Sequence, residues 1–152
     1  MYIPLTFIIN TCFITTLLIL ILGILNPKPH YTSSIKIAFF TRLPPSLILS
    51  SNLITSTSKA YTWLSNNTFS LFLEFRYDTF SIVFTSAALL ITYNIVKFSQ
   101  YYMASDPQLH TFRRLLNIFL LSMIILISAN NLFQLLIGWE GVGFLSFLLI
   151  GW

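Results

Sequence analysis

Residues 129–152 constrain the fold more than any other stretch. They read Ala129-Asn-Asn-Leu-Phe-Gln-Leu-Leu-Ile-Gly-Trp-Glu140-Gly-Val-Gly-Phe-Leu-Ser-Phe-Leu-Leu-Ile-Gly-Trp152. The run is apolar and long enough for a membrane-crossing helix, which needs about 20 such residues. Its one charged residue, Glu140, lies ten residues after Asn130 and twelve before Trp152. At about 1.5 Å of rise per residue, that is near the middle of a hydrocarbon core about 30 Å thick. A carboxylate at that depth costs about 3 kcal/mol on insertion scales. Such a residue marks either a working group or a lock between helices.

The rest of the composition agrees with a membrane setting. The 152 residues are 56% hydrophobic and 8% charged, whereas soluble domains carry about 25% charged residues. This chain cannot cover itself with a solvated surface. Its net charge of +4 comes from bases that sit beside apolar runs, the pattern of the positive-inside rule. No Lys/Arg stripe with interleaved aromatics is present, so nucleic acid is not an expected partner. The lone Cys12 sits in an apolar run and reads as a small packing residue. His30 and His110 stand apart from each other and from any acidic cluster. They read as helix-end residues near headgroups, because metal motifs repeat at short spacings.

Taken in order, the chain predicts an all-α membrane protein. It has about five transmembrane helices, with a short interfacial β-hairpin between the second and third. The spans fall at about 3–25, 34–55, 79–99, 111–128 and 132–152, and the hairpin at about 56–77. The first run lacks a basic leader and a small-residue cleavage site, so it reads as a retained span. Asn26-Pro27 ends it, since proline cannot continue the hydrogen-bond ladder. The second is irregular, with Arg42 and Pro44-Pro45 near its centre. It is either a broken span covered by other helices or a surface element, and the span is the preferred reading. In the hairpin, period-2 runs flank Ser65-Asn66-Asn67, which reads as the turn. Glu74, Arg76 and Asp78 read as solvated or mutually paired, and Asp106, before Pro107, as a turn or cap residue.

Lys28 and Lys36 flank the first connection, and Lys97, Arg113 and Arg114 the third. In the second connection Lys59 and Arg76 are offset by Glu74 and Asp78, and the Asn130 turn has no base. The first and third connections are therefore expected on the inner side, with the amino terminus outside.

On a helix stepping about 100° per residue, Glu140 shares its face with Phe133, Leu136, Ile137, Gly143, Phe144 and Phe147. Such apolar company disfavours a bare charge. A carboxyl there either holds and passes a proton or pairs with a cation to lock packing. Gly138, Gly141 and Gly143 thin the helix and invite close neighbours. Gln134 and Ser146 are expected to hydrogen-bond across helices. Arg42 is the nearest candidate cation, but a switchable partner is better served by lysine. No lysine falls at mid-depth, so the partner is expected outside this chain.

These residues carry a resemblance. Ala129-Asn-Asn-Leu-Phe-Gln, Gly138-Trp-Glu-Gly-Val-Gly and Leu145-Ser-Phe-Leu-Leu-Ile150 resemble the subunit-5 family of mitochondrial NADH dehydrogenase. Phe75-x-x-Asp78-x-Phe80-Ser81, Ser105-Asp106-Pro107 and Asn26-Pro27 match it as well. Its members are antiporter-like membrane subunits of respiratory complex I. The match is specific mainly from Asp78 onward. Residues 30–65 agree in character only, and Arg42 with Pro44-Pro45 departs from a smooth second helix.

The resemblance implies a core membrane subunit of NADH:ubiquinone oxidoreductase in the mitochondrial inner membrane, within its proton-translocating arm. Its partners would be other complex I membrane subunits, the lipid bilayer and protons. Glu140 would be the working residue, paired with a lysine expected beyond Trp152. The chain would then be an amino-terminal fragment of one antiporter-like domain. NADH, flavin, iron–sulfur and quinone sites would belong to other subunits, with no cofactor or metal on this chain. Two alternatives stay open: a structural scaffold without its own ion path, and a subunit of a related sodium/proton antiporter.

Overall fold

The computed structural model describes residues 11, 14–22, 56–66 and 69–152, with side chains from Glu74 onward in the sheet. Strands β1 (Ser56–Asn66) and β2 (Phe69–Tyr77) precede three helices. These are α1 (Thr79–Tyr102), α2 (Leu109–Ile127) and α3 (Leu132–Ile150). Residues 14–22, inside the first expected span, are helical. Most of the remainder of 3–25, and all of 34–55 with Arg42 and Pro44-Pro45, lies outside the described residues. Three of the expected spans are therefore seen whole.

The hairpin pairs antiparallel from Ser56↔Tyr77 to Asn66↔Phe69. Ser65 and Asn66 thus belong to β1 and not to the turn. The register slips between Lys59 and Tyr61 and again between Thr62 and Leu64. Each slip sets two residues of β1 against one step of β2, so eleven residues pair with nine. Bulges of this kind add local twist and bend the strand.

Helix α1, with 24 residues, is about 36 Å long, and α2 and α3, with 19 each, are about 28 Å. All three are long and apolar enough to cross a membrane. With so few charges elsewhere, the chain is a membrane protein. Helix α1 runs one turn past the expected 99, carrying Tyr101 and Tyr102 with it. Its Phe98 and Tyr102 rings stack with centroids 5.6 Å apart. Helix α2 begins two residues before the expected 111 and ends one before 128. The 103–108 connection is held by Asp106, whose Oδ1 accepts from the Gln108 amide at 3.0 Å, a turn residue as expected.

The core unites Leu20, Tyr77, Ile82, Leu89, Val96, Leu116, Leu120 and Ile124. Lipid tails are as apolar as leucine, so packing and interhelical hydrogen bonds carry helix association here. Asn117 Nδ2 donates to the Leu20 carbonyl at 3.2 Å, tying residues 14–22 to α2. The hydroxyls of Thr85, Thr92, Ser99 and Ser128 bond to carbonyls of the preceding turn. They bury themselves at little cost and let helices lie close. Arg114 is exposed, but Arg113 is only 9% exposed and packs into the bundle.

The hairpin docks on the α2–α3 turn. Arg76 N–H donates to the Ser128 carbonyl at 2.9 Å, and Asn130 N–H to the Glu74 carbonyl at 3.3 Å. Phe75 and Ala129 form an antiparallel bridge between these bonds. Asn130 Nδ2 adds a bond to Glu74 Oε2 at 2.8 Å. Arg76 Nε pairs with Asp78 Oδ2 at 2.7 Å, a partly exposed ion pair worth about 1 kcal/mol or less. The base of the hairpin and the Asn130 turn thus share one end of the bundle. Two consecutive helices that alternate in direction require this pairing of ends.

Candidate functional site: the Glu140 helix

Helix α3 is set by its two ends. Asn131 is its N-cap, in extended backbone, and its side chain accepts from the Phe133 amide at 3.4 Å. Capping of this type satisfies an amide that the first turn leaves without a partner. We expect Asn131→Ala to destabilise the full-length protein by about 1 kcal/mol, and Asn131→Asp, which keeps the acceptor, to be neutral. Denaturant midpoints in detergent check this.

Gln134, Gly138 and Leu145 are the buried residues of α3. With Gly141 they recur at i, i+4, i+7 and i+11, one stripe along a helix. That stripe lies against α2, the main neighbour of α3. A Cβ placed on Gly138 would lie 2.8 Å from Leu126 Cα and Cβ and 2.9 Å from its backbone nitrogen. One placed on Gly141 would lie 3.1 Å from Ser122 Cβ. Two of the three expected close-approach glycines therefore serve that purpose. Gly143 does not: a Cβ there would meet nothing within 4 Å.

Glu140 points the other way. It is exposed, as are Phe133, Leu136, Ile137, Gly143, Phe144 and Phe147. The face expected from helical spacing is thus real, and it is an outer face of the described bundle. Trp139 beside it is also exposed, at 67%. Of the three candidate spans, α3 is the least covered. Glu140 is the ninth of nineteen residues in α3, about 12 Å along the helix from its first residue, so the acid sits at mid-span. Among the described residues no cation reaches it. Lys97 stands toward the far end of α1, Arg113 and Arg114 near the start of α2, and Arg76 on the hairpin. Arg42 lies outside the described residues. The carboxyl therefore locks no packing between described helices.

Two expectations for this helix are corrected. Ser146 Oγ bonds to the Gly143 carbonyl of its own helix at 2.8 Å, since a serine hydroxyl reaches the preceding turn more readily than a neighbouring helix. Gln134 is 2% exposed, yet neither of its amide atoms has a hydrogen-bond partner. Its stripe faces α2 where glycines, not donors, bring the helices together. The burial of Gln134 was readable from its place four residues before Gly138. The burial of Arg113 had no such signal. Among the described residues no group of three or more His, Cys, Asp or Glu side chains could hold a metal ion.

Comparison with known proteins completes the picture. Residues 63–113 match the family model for NADH-ubiquinone oxidoreductase (complex I), chain 5 N-terminus. NADH-ubiquinone oxidoreductase chain 5 of Mus musculus is 47% identical over 128 residues, covering 84% of this chain and 21% of the relative. The protein of the same name in Patiria pectinifera is 50% identical over 123 residues, 80% of this chain and 19% of its own length. That of Petromyzon marinus is 42% identical over 151 residues, 97% of this chain and 25% of the relative. So broad an alignment takes in Glu140. The chain spans about a fifth to a quarter of the length of these relatives, and it belongs to the NADH-ubiquinone oxidoreductase chain 5 family.

Proposed function

We propose that this chain forms part of the proton-translocating membrane arm of complex I in the mitochondrial inner membrane. It is coupled there to electron transfer from NADH to ubiquinone. One observation carries the reading: Glu140 lies at mid-span, on an open apolar face, with no cation paired to it among the described residues. A bare carboxylate in hydrocarbon is costly, so this face calls for protein or confined water around the acid. The cation that completes it is a lysine outside the described residues. Lysine suits the role because its proton affinity shifts readily with burial and charge. The pair can then alternate between an ion pair and a neutral pair, moving a proton at each change. The other membrane subunits of the complex are its partners, and the redox groups belong to other subunits.

The scaffold alternative predicts that Glu140 acts through assembly. The openness of its face within the described bundle favours the proton reading. The test is Glu140→Gln in the full-length protein, read by native gels and by protons moved per NADH oxidised. Normal pumping by a fully assembled variant would reject the proposal.

A further inference from the structure

Resting on the proton-transfer reading of Glu140, we infer that Gly138 and Gly141 are its positioning residues, fixing the rotation of α3 by their contact with Leu126 and Ser122 of α2. Gly138 lies two residues before Glu140, about 200° around the helix. Whatever presses Gly138 onto α2 therefore turns Glu140 outward.

The two contacts differ in kind. At Gly138 the neighbour is backbone: Cα and the amide nitrogen of Leu126 stand where a Cβ would come within 2.9 Å. Backbone inside a helix cannot yield alone, so α3 must lift or roll. At Gly141 the neighbour is the Ser122 side chain at 3.1 Å, a tighter fit than usual that a small shift relieves. Ser122 Oγ is itself tied to the Phe119 carbonyl at 2.8 Å, which holds the side chain in place. Gly143, facing away from α2, has no part in the contact. A roll of α3 that moves the Glu140 carboxyl by about 1 Å is enough to slow a positioned proton transfer by about a hundredfold.

The experiment uses the full-length protein in the assembled complex, with proton transfer measured per assembled complex and per NADH oxidised. Misassembly lowers the amount of complex and leaves that ratio alone. Gly141→Ala is expected to lower proton transfer by about tenfold, within the range a sub-ångström displacement gives. Adding Ser122→Gly, which removes the clashing Cβ, is expected to restore it. Gly138→Ala is expected to lower it further, with no relief from Ser122→Gly. Should Gly138→Ala fail to assemble, the Gly141→Ala pair decides. The inference is overturned if Gly141→Ala pumps normally, or if Ser122→Gly fails to rescue it. Glu140→Gln run alongside separates the two failures. Normal pumping there removes the underlying reading. Lost pumping there, with normal pumping in the glycine variants, removes only the positioning role.

Discussion

With Glu140 changed to glutamine in the full-length protein, the complex is expected to assemble in normal amount and to lose coupled proton transfer. The amide matches the carboxyl in size, and the side chain packs against no described helix, so little folding energy depends on it. What the change removes is the titratable proton. A positioned acid or base contributes about a hundredfold to ten-thousandfold to a transfer step, so pumping through this path should fall by at least that lower factor. Glu140→Asp makes a sharper test. It keeps the charge but draws the carboxyl back toward α3 by about 1.5 Å, one carbon–carbon bond. If distance to an outside cation governs transfer, the aspartate variant should pump measurably but far below the wild type. A scaffold role makes the two variants alike. NADH oxidation and proton release in membrane vesicles, normalised to complex on native gels, separate these outcomes.

Much of the fold was legible because its signals are local. The hairpin announced itself by alternation, and the three helices by apolar, charge-poor runs of the right length. Asp106 was readable as a turn residue because its side chain bonds to an amide two residues away. Errors came where a residue's fate depends on its neighbours in space. Ser65 and Asn66 looked like a turn by composition, yet strand pairing runs to Asn66 because β2 offers it a partner in Phe69. Arg113 and Arg114 looked equivalent at a helix start, but one step of about 100° takes Arg113 into the bundle and leaves Arg114 outside. Ser146 looked able to bond across helices, but a nearer carbonyl took the bond. For the site itself, the face of Glu140 followed from helical period alone. Which side of α3 would be covered did not, because a helix this apolar all round carries no amphipathic signal. The answer lay in glycines rather than hydrophobic residues: Gly138 and Gly141 mark the side that α2 approaches.

That last point gives the second large effect, from moving the acid without changing composition. In the double variant Glu140→Leu with Leu145→Glu, residues 132–150 keep the same residues in a different order. Length, charge and total hydropathy are unchanged, so membrane insertion should proceed as before. The carboxyl, however, leaves the open face for a position that is 6% exposed on the side of α3 that α2 covers. Burying an unpaired charge between packed helices costs about 3–5 kcal/mol. Each 1.4 kcal/mol is about a tenfold change in an equilibrium. The helix pair should therefore fail to pack, and the folded full-length protein should fall at least about a hundredfold. Glu140→Leu alone should accumulate normally while losing transport, which shows that the damage comes from the new position and not from the loss of the old acid. Quantitative mass spectrometry of membranes, beside a glycosylation-site assay for insertion, reads both quantities. Normal accumulation of the inserted double variant would mean that α3 turns a different side to α2. Glu140 would then lose the outward aspect on which its proposed partnership with an outside lysine depends.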